Sequence, residues 1–179
     1  SAGAYHSVAL DADGAAWVWG WSFGCTPRTV LDNVTAVAAG ARCALTPRGD
    51  LLCSFMVQEA LGRNDFKPLL ARSSDGGVTW TEQGPIWPRL GASHSIFGSI
   101  SRAPSGELLF FGARTPVERP GEPNWCEETQ GLKQNELIWA RSDDSGVTWS
   151  DPRPIPMPFP GAAESACPMC VTRRGAWHI

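Results

Sequence analysis

SSDGGVTW, residues 73–80, and SDDSGVTW, residues 142–149, are two copies of one eight-residue pattern, and this pattern decides the fold of the chain. Both octets follow an Ala-Arg pair and fit Ser-x-Asp-x-Gly-x-Thr-Trp, and the second copy begins 69 positions after the first. A match at all the fixed positions is very improbable by chance, and a repeat at a fixed distance is typical of stacked supersecondary units. The sequence therefore predicts two successive structural repeats.

Each octet is predicted to form a tight turn that is held by its own side chains. An Asp side chain accepts hydrogen bonds from backbone N–H groups a few residues further on, and a Gly supplies the positive φ that such a turn needs. Thr and Trp are predicted to resume strand geometry, with the indole as a buried anchor. We interpret the fixed positions as structural rather than catalytic. They are Ser73, Asp75, Gly77, Thr79 and Trp80 in the first octet and Ser142, Asp144, Gly146, Thr148 and Trp149 in the second.

The segments around the octets are strand-like. Residues 95–102 and 107–114 read as a β-hairpin, and residues 136–141 read as a third strand before the second octet. With a fourth strand after the octet they make a four-stranded antiparallel unit, which is one blade of a β-propeller. Further hairpins, in the first 55 residues and from residue 167 onward, look like parts of other blades. The predicted fold class is therefore all-β, with four-stranded antiparallel blades that form an incomplete propeller.

Composition and charge exclude several classes of function. Charged residues are 18% of the 179 residues and the formal net charge is −3, so neither a basic nucleic-acid arm nor a disordered acidic chain is expected. No apolar run approaches the roughly 20 residues that span a bilayer. We therefore expect neither nucleic acid nor a membrane as a partner.

The cysteines do not specify a pairing or a metal site. Their even number suits an oxidising compartment, and buried free thiols are the alternative. Cys167 and Cys170 have C-x-x-C spacing, but no second pair lies nearby, so we expect strand thiols rather than zinc ligands. We predict no metal and no cofactor. The six are Cys25, Cys43, Cys53, Cys126, Cys167 and Cys170.

Two family resemblances follow from these motifs. Residues 1 to about 55, with GAYHSVAL, Trp19-Gly20 and the linking VTAVAAG, resemble repeats of the regulator-of-chromosome-condensation (RCC1) type, which build seven-bladed propellers. Residues from about 68 onward, with both octets, resemble the Asp-box (BNR) repeats of the sialidase, or neuraminidase, superfamily, which implies a six-bladed propeller. We therefore divide the chain into RCC1-like blades, residues 1–56, and sialidase-like blades, residues 57–179. Asp boxes also occur in propellers that are not sialidases, so the resemblance implies architecture before activity.

The sialidase resemblance implies a retaining glycoside hydrolase that cleaves terminal sialic acid. Such enzymes use a Tyr nucleophile activated by a Glu, an Asp acid/base and three Arg that grip the substrate carboxylate. The Glu commonly follows an Asp box by a short Pro/Gly-rich connection, a position that Glu164 fills here. Glu164 is our one catalytic candidate, and an exposed loop carboxylate is the alternative.

Other sialidase residues do not carry over. The only Tyr is Tyr5, which belongs to the RCC1-like part, and the Arg-Ile-Pro segment of the family is absent. The chain starts without Met and ends inside a predicted strand, so we expect a fragment. These gaps fit a fragment of an active enzyme and equally a set of blades that never had activity. We expect no turnover of a sialoside by residues 1–179 alone.

Three interpretations of function follow. The first is a sialidase-type hydrolase fragment that acts on a sialylated or other glycan, which would place the protein outside the cell or in the periplasm. The second is a non-catalytic propeller that binds a protein or glycan. The third is that two repeat types were joined by an assembly or reading-frame error, so that no single function covers the chain. The long polar loop 115–135, which contains Glu122 and Trp125, is typical of a binding surface, with a variable insertion as the alternative.

Overall fold

The computed structural model describes residues 6–10, 16–20, 24–31, 38–60, 62–163, 170–172 and 175–178. These residues are mostly strands and turns, with one short 3-10 helix, Leu90–Ala92. None of the helical structure in these ranges is long and apolar enough to cross a membrane. The strands are β1 (His6–Leu10), β2 (Ala16–Gly20), β3 (Gly24–Leu31), β4 (Ala38–Leu45), β5 (Leu51–Val57), β6 (Lys67–Ser73), β7 (Thr81–Pro85), β8 (His94–Arg102), β9 (Leu108–Pro116), β10 (Trp125–Cys126), β11 (Gly131–Leu132), β12 (Glu136–Ser142), β13 (Arg153–Pro154), β14 (Cys170–Val171) and β15 (Trp177–His178).

The strands form antiparallel sheets. Strands β1, β2 and β3 make a three-stranded N-terminal sheet. Strands β4, β5, β6 and β7 make a four-stranded sheet, blade A, and β8, β9, β12 and β13 make a second, blade B. Strands β10 and β11 form a ribbon inside the connection from β9 to β12, and β14 pairs with β15. Consecutive four-stranded antiparallel sheets of the same strand order confirm the predicted all-β fold of an incomplete β-propeller.

Blades A and B pack face to face through an apolar core. Its members occupy alternate positions along each strand, as side chains that share one face of a sheet must. The ring of Trp87 meets the ring of Phe110 edge to face, with 4.9 Å between centroids, in the groove between the blades. The buried members are Ala44, Leu52 and Leu70 of blade A and Ile96, Ile100, Leu108, Phe110, Ile138 and Ala140 of blade B.

The opposite face of blade B forms a second apolar cluster. Leu109 and Phe111, which alternate with members of the first core, pack there with Trp139. The ring of Trp139 meets the ring of Trp177 on β15 edge to face, with 4.8 Å between centroids. Blade B therefore buries apolar side chains on both faces, and its strand β9 is a continuous apolar run for that reason.

Among the described residues, the strand predictions are confirmed except after the octets; residues 167–169 of the hairpin predicted from residue 167 onward lie outside them. The hairpin predicted at 95–102 and 107–114 is formed by β8 and β9. At its turn, Ala103 N donates a hydrogen bond to the Glu107 carbonyl oxygen at 2.9 Å. The prediction that strand geometry resumes at the Thr and Trp of each octet is wrong, because β7 begins at Thr81 and β13 at Arg153. The N–H groups of Thr79 and Thr148 bind the Asp of their own octet, so they do not join a β-ladder.

The boundary placed between residues 56 and 57 lies inside blade A. Strand β5 pairs with β6 from Leu51, opposite Ser73, to Val57, opposite Lys67. Strands from both sides of the boundary therefore belong to one sheet. The division by repeat type stays a prediction about the sequence families of the two parts.

Candidate functional site at the loop end of the blades

The antiparallel topology gives each blade two ends with different connections. The box end carries the two octets and the turns that join the first strand of each blade to the second. The loop end carries the other connections, residues 58–66, 86–93, 117–135 and 155–163. Because loops on a rigid scaffold position binding and catalytic groups, the loop end is the candidate functional site.

The first octet closes around the carboxylate of Asp75. The carboxylate accepts hydrogen bonds from Ser73 Oγ at 2.7 Å, from Val78 N at 3.0 Å, and from Thr79 N and Oγ1 at 2.9 and 2.6 Å. Ser73 Oγ in turn accepts from Gly77 N at 2.8 Å. The bonds from Thr79, followed by that from Ser73, hold the pKa of the Asp75 carboxyl well below its usual range.

The second octet repeats these contacts around Asp144. Ser142 Oγ donates to the carboxylate at 2.8 Å, Val147 N at 3.1 Å, and Thr148 N and Oγ1 at 2.9 and 2.6 Å. Burial raises the pKa of the Asp144 carboxyl, but the bonds from Thr148, Ser142 and Val147 together outweigh it and lower the pKa to about 2. In both octets the carboxylate oxygens are occupied by local donors, so these groups hold a turn.

Two consecutive residues of each octet have a left-handed backbone. They are Gly76 and Gly77, with φ of 73° and 92°, and Ser145 and Gly146, with φ of 65° and 83°. Only the second of these positions is glycine in both copies. At Gly146 a Cβ would collide with the Leu52 side chain of blade A, so a side chain at this position would require the packing between the blades to shift.

The octet of blade B also contacts blade A. Arg72 Nη2, on β6, donates to the Ser145 carbonyl oxygen at 2.7 Å. Arg72 Nη1 lies 3.0 Å from Asp50 Oδ2, in the turn between β4 and β5. The box end therefore joins one blade to the next through a side chain that sequence reasoning did not single out.

The two octet tryptophans are held differently. Trp80 Nε1 donates to the Gly77 carbonyl oxygen at 3.2 Å. Trp149 packs on the core between the blades, 6.4 Å from the Trp87 ring, and its Nε1 is buried without a hydrogen-bond partner. Both indoles are half-buried rather than fully buried. Trp149 contacts the core between the blades, whereas Trp80 donates to the backbone of its own octet.

At the loop end, a buried network centred on Glu122 fixes the long loop. Asn64 Nδ2, from the β5–β6 connection, donates to Glu122 Oε1 at 2.9 Å and to the Pro116 carbonyl oxygen at 2.8 Å. Glu118 N donates to Glu122 Oε1 at 3.1 Å, and Lys133 Nζ lies 2.9 Å from Glu122 Oε2. Glu122 and Asn64 are only 6% and 2% exposed. The network thus ties a loop of blade A to the long loop of blade B.

The Glu122 carboxylate is held in its ionised form. Burial raises its pKa, but Lys133, Asn64 and the backbone N–H of Glu118 together outweigh burial and lower the pKa to about 2. The Lys133 ammonium compensates the buried negative charge. Glu122 therefore supports the loop and does not exchange a proton near neutral pH.

Asn135 fixes the segment that leads to Glu164. Its buried amide donates from Nδ2 to the Ala163 carbonyl oxygen at 3.0 Å and accepts from Ala163 N at 2.9 Å. Ala163 therefore lies at the loop end, beside the start of β12. Glu164, the catalytic candidate, lies outside the described residues.

Three ionisable side chains meet where β8, β9 and β12 reach the loop end. Arg114 Nε and Nη2 both donate to Glu136 Oε2 at 2.8 Å. Ser93 Oγ lies 2.9 Å from Nδ1 of the nearby His94. Burial and the Arg114 charge lower the pKa of His94, against the opposite influence of Glu136, and so favour the neutral imidazole. The guanidinium of Arg114 is the type of group that binds carboxylates, and here it is paired with the carboxylate of Glu136.

An open cleft of about 590 Å³ lies at the box end of blade B. The Arg153 guanidinium sits 5.7 Å from the centroid of Trp139, the same ring that contacts Trp177 of the next hairpin. We therefore assign the cleft to packing between sheets. Its lining residues are Trp139, Arg141, Asp143, Asp144, Thr148, Trp149, Ser150 and Arg153.

Sequence reasoning found the octets and the long loop but missed the groups that organise the loop end. It named Glu122 only as one polar residue of a long loop, and it gave no role to Asn64, Asn135 or Arg114. A long loop on a compact blade needs polar side chains that satisfy its buried backbone groups. That requirement was the only feature of the sequence that could have indicated these residues. In the part of the chain that the structure describes, no three His, Cys, Asp or Glu side chains come together as a metal site.

Comparisons with known proteins relate the chain to one repeat family and to solved structures of the same fold. The family model for the regulator of chromosome condensation (RCC1) repeat matches residues 1–25, which supports that resemblance for the start of the chain. The crystal structure of a protein of unknown function from Dyadobacter fermentans DSM 18053 shares the fold, with a TM-score of 0.55 and 17% sequence identity. The match covers 93% of this chain and 44% of that one, so the chain spans less than half the length of that protein. No curated protein matches the chain at a significant level.

Proposed function

We propose that this chain supplies blades of a sialidase-type β-propeller whose loop end acts on a glycan. The supporting observation is the pair of octets with the same hydrogen bonds around Asp75 and Asp144, each between the third and fourth strand of its blade. Two such turns in successive blades are what the Asp-box resemblance implies. The RCC1 match at residues 1–25 supports the wider propeller architecture.

One contact at the loop end supports this proposal. Asn135 holds Ala163 at this end, and Glu164 follows directly in the chain. In a sialidase-type reaction Glu164 would activate a tyrosine nucleophile, and guanidinium groups would bind the carboxylate of the sugar. Tyr5 is the only tyrosine and lies in the RCC1-like part, so we expect residues 1–179 to bind the sugar without hydrolysing it.

A non-catalytic binding propeller is the second candidate. It is favoured by the state of two carboxylates at the loop end, because Glu122 is buried against Lys133 and Glu136 is paired with Arg114. Neither group is positioned as a free acid or base. On this hypothesis the loop end binds a protein or a neutral glycan.

The two candidates differ in what the chain binds. Saturation-transfer NMR with 3′-sialyllactose and with lactose, each added to residues 1–179, should show transfer to the sialic acid protons and none to lactose. Equal transfer to both sugars, or transfer to neither, would contradict the sialidase-type proposal and favour the binding propeller. A fluorogenic sialoside tests chemistry in parallel. Turnover that Glu164→Gln abolishes would make Glu164 catalytic and would overturn our expectation of no hydrolysis.

A further inference from the structure

Two cysteines of blade A face each other across neighbouring strands. Cys43 on β4 is directly opposite Cys53 on β5, and both are free thiols. Cys53 is 3% exposed, whereas Cys43 is only half-buried. The pair lies on the face of blade A opposite to Leu52 and Ser54, which point toward blade B.

The strand register brings these two positions to disulfide distance. The Thr46 N–H donates to the Asp50 carbonyl at 2.8 Å, so these two residues form a hydrogen-bonded pair at the end of the hairpin. Because paired positions alternate along an antiparallel ladder, the pair formed by Cys43 and Cys53, three steps away, is a non-hydrogen-bonded one. The Cα atoms of such pairs are about 4.5 Å apart, inside the range of about 4.4–6.8 Å that disulfides span.

The two thiols already interact in the reduced protein. A hydrogen bond with the Cys53 side chain, together with burial, raises the pKa of the Cys43 thiol well above its usual range. The Cys43 thiol is therefore protonated at neutral pH, and conversion of the two thiols to a disulfide requires an oxidant that accepts two electrons.

We propose that Cys43 and Cys53 form a cross-strand disulfide when the protein meets a low-molecular-weight disulfide such as oxidised glutathione. The more exposed Cys43, after losing its proton, attacks one sulfur of the oxidant and releases one glutathione thiolate. Cys53, after losing its proton, attacks Cys43 Sγ and releases the second. The protein loses two protons and two electrons, and the oxidant becomes two molecules of glutathione. The new bond ties β4 to β5 and is independent of any glycan at the loop end.

Cys126 is the matched control. It is a free, half-buried thiol on β10, and the residue opposite it on β11 is Gly131. With no thiol opposite it in the ribbon, Cys126 has no cross-strand partner for the second exchange step. Its replacement should leave the proposed disulfide intact.

The test is peptide mass spectrometry of the full chain after equilibration with a mixture of reduced and oxidised glutathione. After acid quenching, alkylation and digestion, we expect a peptide that links residues 43 and 53 in the wild type and in Cys126→Ser. The same peptide should be absent from Cys43→Ser and Cys53→Ser. Absence of this peptide from the wild type, or linkage of Cys43 mainly to another cysteine, would overturn the proposal whatever the variants do.

Thermal unfolding of the wild type gives a second measurement that needs no variant. Oxidation should raise the unfolding midpoint, and dithiothreitol should reverse the rise, because a cross-link restricts the unfolded chain. An unchanged or lower midpoint for the cross-linked protein would contradict a disulfide that fits the native strand register.

Discussion

Arg72 of blade A donates to the carbonyl oxygen of Ser145, inside the octet of blade B, at 2.7 Å. The octet is held by hydrogen bonds among its own residues, yet its backbone also accepts a hydrogen bond from the preceding blade. Arg141 occupies the equivalent position in blade B, one residue before the Ser of its octet. It forms an exposed ion pair with Asp143 instead.

Replacement of Arg72 should weaken the contact between the blades. Arg72→Leu leaves the Ser145 carbonyl and the Asp50 carboxylate without this partner, and we expect the free energy of unfolding in urea to fall by about 1.5–3 kcal/mol. Arg141→Leu is the matched control and should cost only about 0–1 kcal/mol, since its ion pair is exposed. Equal losses of unfolding free energy in the two variants would show that the hydrogen bond to Ser145 does not stabilise the contact between the blades.

Glycine occurs in the octets for two reasons, the left-handed backbone and the close packing between the blades, and Gly76 and Gly146 allow these to be tested separately. Gly76 has φ of 73° and open space around its Cα, so Gly76→Ala should cost only the left-handed backbone penalty of about 1–2 kcal/mol. Gly146→Ala adds a collision with Leu52, for which overpacking typically costs about 1–3 kcal/mol more. Chemical denaturation of both variants measures the difference. A Gly146→Ala protein as stable as Gly76→Ala would mean that the blades can move apart at no cost.

The octets were predictable because their donors and acceptors are neighbours in sequence. Ser73, Asp75 and Thr79 lie within one octet, so the pattern alone indicated the turn. The same contacts explain the error in the strand boundary. The backbone N–H of Thr79 is used by Asp75, and the strand therefore starts two residues later, at Thr81.

The loop end was less predictable because its contacts join distant parts of the chain. Asn64 reaches Glu122 across 58 residues and Asn135 reaches Ala163 across 28. Each of these side chains is polar and lies in a loop, where sequence alone indicates exposure. The burial of Glu122 could not be predicted from the sequence because one of its partners, Asn64, comes from blade A, 58 residues away in the chain.

The Asp144 carboxylate should make stability depend on pH in the acid range. Its folded pKa of about 2 lies below the ordinary aspartate value of about 3.9. Its contribution is therefore complete above about pH 4 and is lost as the pH falls toward 2. Asp144→Asn should be less stable than the wild type at neutral pH, and the difference should narrow between about pH 4 and 2, as urea unfolding would measure.

Asp143→Asn is the control for this pH dependence. Asp143 is adjacent but exposed, and its contact is the ion pair with Arg141. We expect a wild-type pH profile in this variant. The stability difference from the wild type could instead shrink with falling pH as much in Asp143→Asn as in Asp144→Asn. That result would show that general surface charge, and not the octet, determines how stability depends on pH in the acid range.

Glu122 should hold the long loop in place. Glu122→Leu removes one of the two acceptors of Asn64 and the ion-pair partner of Lys133. Since Lys133 is 26% exposed, the loss should be less than the about 3–5 kcal/mol typical of a broken buried ion pair. Limited proteolysis should cut the loop 115–135 faster in this variant. Glu118→Gln is the control, because Glu118 enters the network through its backbone N–H. Equal rates of cutting in the two variants would contradict the anchoring role.

Asn135 should determine how firmly the segment before Glu164 is held at the loop end. Asn135→Leu removes both hydrogen bonds to Ala163, and leaving such buried groups unpaired costs about 1–3 kcal/mol. The amide proton of Ala163 should therefore exchange faster with solvent by NMR, while exposed Gln134→Ala should leave its exchange unchanged. If the loop end binds sialyllactose, the Asn135 variant should also bind it more weakly than Gln134→Ala does. An unchanged exchange rate at Ala163 in Asn135→Leu would mean that contacts other than those of Asn135 hold Ala163 at the loop end.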